Sequence, residues 1–244
     1  MEQIRSGRLT ILTVLFVIFG IMNPAVAKLT PWLLDMFADS LSESGMIITD
    51  ITVTAIDSWM QFYKNIPMAL IAFVLLQGGI FTKEYSSGTL ILSLTKGLER
   101  HNVVISKSLV LLCLWTAGYW LCFSITYGYN AYFWDNSAAQ SLGYSAIVWW
   151  IFGCFTISLM VIFSVISSSV TGVLMGTGAV ILTSYLISII PKAGKYLPTK
   201  LADGSSLICG AADSNEYVTA LIITSIVTLV CFIVSVPIFN KKQL

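Results

Sequence analysis

Between Asp135 and Lys192 the chain carries no charged residue over about 56 positions, which at ~1.5 Å of rise per helical residue would make a rod of about 84 Å. A bilayer has a hydrocarbon core of only ~30 Å and takes about 20 apolar residues per crossing. The stretch must therefore fold back on itself as two membrane helices. Ser167-Ser168-Ser169 is the natural hinge, which predicts spans over 143–166 and 170–190.

The same search for charge-free runs gives four more spans. They are 9–27, 66–82 between Lys64 and Lys83, 108–127 after Lys107, and 217–239 ahead of Lys241-Lys242. Pro67 is read into the first turn of the second span, where a missing N–H does least harm. The expected fold is an all-α membrane protein with six transmembrane helices in a single transmembrane domain over residues 1–244. Composition agrees, because 57% of residues are hydrophobic and 10% charged, against roughly a quarter charged in a soluble domain. Such a chain lacks the charge to coat a water-facing surface. A net charge of +1 with no clustered basic face excludes nucleic acid as a partner. The charged start Glu2, Arg5, Arg8 ahead of an apolar run has the look of a signal peptide, but 9–27 is long enough to span and is read as a retained first helix.

Basic residues set the expected orientation. With both termini cytoplasmic, the inside segments hold Arg5, Arg8, Lys83, Lys96, Arg100, Lys107, Lys241 and Lys242, while nine of the twelve acids fall outside, among them Asp35, Asp39, Glu43, Asp50 and Asp57. Lys28, Lys64, Lys192, Lys195 and Lys200 run against the rule. Trp32, Trp59, Tyr63, Tyr129, Tyr132, Trp134 and Tyr196 fall near the outer ends, as interfacial aromatics do. Trp149 and Trp150 lie inside the fourth span, where packing and substrate contact both remain open. The external segment 29–63 is read as holding a short surface helix. The helix-broken, partly apolar segment 191–216, with Pro191, Pro198, Gly194, Gly204 and Gly210, is read as a re-entrant or interfacial element before the last span.

Motif searches for other chemistry return nothing. There is no G-x-x-x-x-G-K-[ST] phosphate loop, no H-E-x-x-H and no G-x-S-x-G, so no catalytic residue and no metal site are expected. His101, the only histidine, adjoins Arg100 and is read as an interfacial ring. The five cysteines show neither a disulfide framework nor a zinc spacing and are read as small hydrophobes. Ser164, Ser184, Ser188, Gly172, Gly176 and Gly178 are read as helix-packing residues. With essentially no ionisable group inside the spans, ion coupling has nothing to work with.

The segment 83–100 after the second span is different. Leu90, Ile91, Leu94 and Leu98 share one helical face while Ser93, Lys96 and Arg100 point elsewhere, the pattern of an amphipathic helix along the membrane surface. Its order of Glu84, three residues, Gly88-Thr89, the apolar run from Leu90 through Leu94, Arg100 and then Lys107 resembles the cytoplasmic loop of ABC-2 type transporter permeases. Where that family usually has Pro ahead of the Arg, this chain has Gly97, another helix breaker, and the register is kept. The resemblance implies that this loop is a coupling helix docking into a cytosolic ABC ATPase subunit, which would bind the ATP and Mg, with no cofactor in this chain. It also implies a second membrane subunit, expected as a homodimer, in the cell membrane. The short single-domain form is similar to permeases of bacterial peptide exporters and immunity systems, so the expected cargo is a small amphipathic peptide. Lipid, polysaccharide or drug export stand as alternatives, and a membrane scaffold or an intramembrane enzyme stand as readings from other classes.

Overall fold

The computed structural model describes residues 7–36, 52–82, 84 and 99–241. Among these no strand occurs, and six helices are long and apolar enough to cross a membrane. They are α1 (Arg8–Met36), α2 (Ala55–Gln77), α3 (Arg100–Phe133), α4 (Leu142–Ile166), α5 (Val170–Ser188) and α8 (Asn215–Lys241). Between α5 and α8 lie two short helices, α6 (Pro191–Gly194) and α7 (Gly204–Ile208), with a 3₁₀ turn at Pro198–Ala202 between them. A second 3₁₀ turn, Asn136–Ala138, joins α3 to α4.

The hinge between α4 and α5 forms at the three serines, where the Ser169 hydroxyl accepts the Gly172 N–H at 3.1 Å and caps α5. Two other boundaries differ from the sequence reading. The second helix begins at Ala55, because the Asp57 carboxylate accepts both the Thr54 N–H at 2.8 Å and the Thr54 hydroxyl at 3.0 Å and starts the helix three turns early. Pro67 consequently stands in the middle of α2 and not in its first turn, and Lys64 lies on the helix's exposed side. The third helix runs for 34 residues, about 51 Å, so it overshoots a ~30 Å core and carries Arg100 and Lys107 in its early turns. Of the external segment 29–63, residues 29–36 belong to α1 and 55–63 to α2; the short surface helix expected within it falls on 37–51, which lie outside the described residues, as do 85–98 of the amphipathic segment.

Neighbouring contacts fix the direction of each helix. Asn65 of α2 meets Asn23 of α1, which meets Thr126 of α3, while Tyr119 of α3 reaches Ala146 of α4. Arg100 at the start of α3 donates to the Asn240 carbonyl at the end of α8, at 3.3 Å. The first and last described helices therefore open and close at one end of the bundle, called proximal here. The distal end holds the α1–α2, α3–α4 and α5–α8 connections.

The core is an aromatic column. Phe16 and Phe73 pack edge-on against Trp115, with ring centres 6.0 and 5.7 Å away. Tyr119 stacks on Trp149 at 6.2 Å with the planes 3° apart. Pairs of this kind contribute ~0.5–1.5 kcal/mol beyond burial. Close approach is possible because a Cβ on Gly118 would overlap the Phe16 ring and one on Gly153 would overlap the Trp115 indole. Trp149 is wholly buried and donates its indole N–H to the Ala202 carbonyl at 3.0 Å, which settles its role as packing. Of the small residues read as packing positions, Gly176 meets the Phe163 ring and Gly172 the Ser167 side chain, while Gly178 faces open space. Ser164, Ser184 and Ser188 bond back to carbonyls of their own helices.

The segment before α8 packs its apolar residues inward, with Leu201, Leu207 and Ile208 buried. The Tyr217 hydroxyl donates to the Asp203 carbonyl at 2.9 Å, and the Gln140 N–H donates to the Ile208 carbonyl at 3.1 Å. In the α3–α4 connection, hydrogen bonds from the Ser137 hydroxyl and N–H hold the Asp135 carboxyl below the usual carboxylate range.

Candidate functional site

At the proximal end α2 does not stop cleanly. After Gln77 the chain winds through a turn at 78–81, held by Gly78 N–H to the Val74 carbonyl at 2.7 Å and Ile80 N–H to the Gln77 carbonyl at 2.9 Å. Ile80, Phe81 and Thr82 are buried, so this exit from α2 is packed into the bundle. Glu84 follows within hydrogen-bond reach, its N–H bonding the Phe81 carbonyl at 3.1 Å.

Lys107 of α3 fastens this exit. Its ammonium lies 2.7 Å from Glu84 Oε2, donates to the Ile80 carbonyl at 2.7 Å, and sits 4.9 Å from the centre of the Phe81 ring. The two side chains are only 13% and 25% exposed, which separates this ion pair from a solvated surface pair. One cation thereby neutralises a carboxylate, bonds a carbonyl beyond the helix end, and lies over an aromatic face. Around it, Thr82 Oγ1 and Ser108 Oγ are buried without a hydrogen-bond partner.

Of the residues singled out in the sequence, Glu84 and Lys107 are brought together, 23 positions apart in the chain. Arg100 is not part of that pair and ties the start of α3 to the end of α8 instead. Gly88, Thr89, Leu90 and Leu94 lie outside the described residues. Glu99, just ahead of α3, accepts from the Asn102 amide at 3.3 Å and lies 3.3 Å from the His101 ring, which is half exposed. Among the described residues no three metal-ligating side chains converge.

Two polar features escaped the sequence reading. Asn65 donates to Asn23 at 2.9 Å, Asn23 donates to Thr126 at 3.3 Å, and Thr126 donates to the Gly20 carbonyl at 3.0 Å. That carbonyl is the one whose helical partner would be the N–H of residue 24, which is Pro24 and has none. The network therefore repairs a helix break and offers no titratable group for catalysis. The second feature is a polar cavity of about 620 Å³ at the distal end, between α5, the broken segment and α8. Comparison with protein-family models, with curated proteins and with solved structures finds no match for this chain.

Proposed function

We propose that the chain is the membrane subunit of an ATP-driven exporter of the ABC-2 permease kind, oriented with its proximal end in the cytoplasm. The observation that carries this reading is the Lys107–Glu84 tie. It sits at the root of the one segment with a transport-like motif and binds that root to α3. Force applied to residues 85–98 by a docked ATPase subunit would then be delivered to α2 and α3 together, without a loose joint. The same carboxylate that the loop motif supplies is thus spent inside the chain and not on the partner. ATP and Mg belong to that partner, since this sequence has no phosphate loop. Two copies of the membrane subunit working with two ATPase subunits complete the machine.

The proposed cargo is amphipathic or hydrophobic, a small peptide, because the helices carry few fixed charges, Lys64 of α2 being one that lies near a helix middle. Tagged full-length chain, solubilised from its native membrane, is expected to bring down an ABC ATPase subunit, and Gly88→Leu is expected to abolish that association while the chain stays folded. A preparation free of any ATPase, or one whose ATPase is retained by Gly88→Leu, contradicts the reading.

A further inference from the structure

Arg100 stands where a cation is out of place for its own helix. It is the first residue of α3, and the partial positive charge of a helix start disfavours a guanidinium there. Its side chain donates instead to the Asn240 carbonyl, at 3.3 Å, in the last turn of α8. Carbonyls of a last turn have no N–H of their own helix to accept, and the partial negative charge at that end attracts a cation. The guanidinium therefore serves α8 at the expense of α3.

The turn it holds is weakly joined to the rest of α8. Pro237 removes the N–H that the Ile233 carbonyl would accept, and its ring crowds that carbonyl, which loosens or bends a helix at this point. Beyond it Phe239 is wholly buried, although Pro237 and Asn240 are exposed. Val103 and Val104, in the first turns of α3, are buried in the same core. Arg100, Val104 and Lys107 follow one another at four and three residues and so share a face of α3. Lys107, about 10 Å further along that face, holds the exit of α2.

We infer that residues 238–241 form a foot that moves with α3 and not with the rest of α8, clamped by Arg100 and set off by Pro237 as a flexure. The opening turns of α3 then carry two attachments, the exit of α2 and the foot of α8. A displacement of α3 at the proximal end is passed to both, while the body of α8 stays packed on α4. The foot rests on contacts within the chain, so it stands or falls independently of the exporter reading. The competing arrangement is a rigid, continuous α8 on which Arg100 is only a cap.

Distances between spin labels separate the two. Full-length chain with its five native cysteines replaced would be reconstituted in lipid nanodiscs and labelled at pairs of exposed positions. Ile105→Cys with Lys241→Cys reads the foot against α3, and Ile105→Cys with Leu229→Cys reads the body of α8. Both pairs are expected to give narrow distance distributions in the parent chain. Arg100→Gln is expected to broaden the Lys241 pair and leave the Leu229 pair unchanged. Adding Pro237→Ala to Arg100→Gln is expected to narrow the Lys241 pair again, because a continuous helix holds the last turn without the clamp. Arg100→Lys keeps the charge on a shorter, unforked side chain and is expected to give an intermediate width, which carries the test should Arg100→Gln not fold. A Lys241 pair as narrow in both Arg100 variants as in the parent, or a broadening that Pro237→Ala does not reverse, overturns the inference. So does a Leu229 pair that broadens along with the Lys241 pair, since α8 would then be moving as one piece.

Discussion

Lys107 is placed where a single side chain has three tasks, and its removal has a calculable direction. Hydrogen bonds to charged groups contribute ~1.5–3 kcal/mol, and truncating one partner leaves the other charge partly buried. Lys107→Ala removes the ion pair to Glu84 beside the buried Phe81 and the ammonium's hydrogen bond to the Ile80 carbonyl. Glu84→Ala leaves the ammonium its carbonyl contact, so it is expected to cost less, about 1 kcal/mol against about 2–3 kcal/mol for Lys107→Ala. Unfolding in mixed detergent, run on both single variants and the double, is the check. The double variant is expected to lose less than the two singles added together, because both break the same pair. Strict additivity would show that the pair is not coupled.

Within single helices, the proline residues decide what has to be repaired. Pro24 leaves the Gly20 carbonyl without its helical N–H, and Thr126 of α3 supplies the missing donor across the interface. Thr126→Val is therefore expected to destabilise the α1–α3 contact by about 1 kcal/mol, a typical interhelical value. In a Pro24→Ala background the helix can satisfy that carbonyl itself, so the same Thr126→Val change is expected to cost distinctly less. Equal costs in the two backgrounds would separate Thr126 from the proline.

The helices were legible in the chain to different degrees. Each charge-free run of the sequence falls largely within a helix, because length and hydropathy select for bilayer crossing whatever the packing. The start of α2 could not be read that way. Asp57 and Lys64 interrupt the apolar run, yet one caps the helix and the other lies on its exposed side, so neither ends it. The Lys107–Glu84 pair was hidden for a different reason. Its geometry depends on how the turn at 78–81 folds back on α3, and no periodicity encodes that. The distal cavity depends likewise on where the pieces between Pro191 and Ile208 settle against α4 and α8.

For the whole molecule, the alternating helices put Ser168 at the proximal end and Asp203 at the distal end, so the two must face opposite sides of a membrane. Single cysteines introduced there in a cysteine-free chain are expected to react with an impermeant thiol reagent from opposite sides, Asp203→Cys from outside and Ser168→Cys only after permeabilisation. Labelling of both from the same side would break the six-crossing arrangement, and a simple reversal would break the proposed orientation alone. The proposed coupling is tested most directly in a purified complex of this chain with the ATPase subunit proposed for it, reconstituted in vesicles, by measuring cargo-stimulated ATP hydrolysis. Wild type is expected to respond to cargo, and Lys107→Ala to keep its ATPase bound and its basal hydrolysis while losing most of the stimulation. The charge-swapped pair Glu84→Lys with Lys107→Glu is expected to recover part of it. Full stimulation in Lys107→Ala, with cargo still exported at the wild-type rate, would contradict the assignment of that tie as the joint through which force enters the bundle.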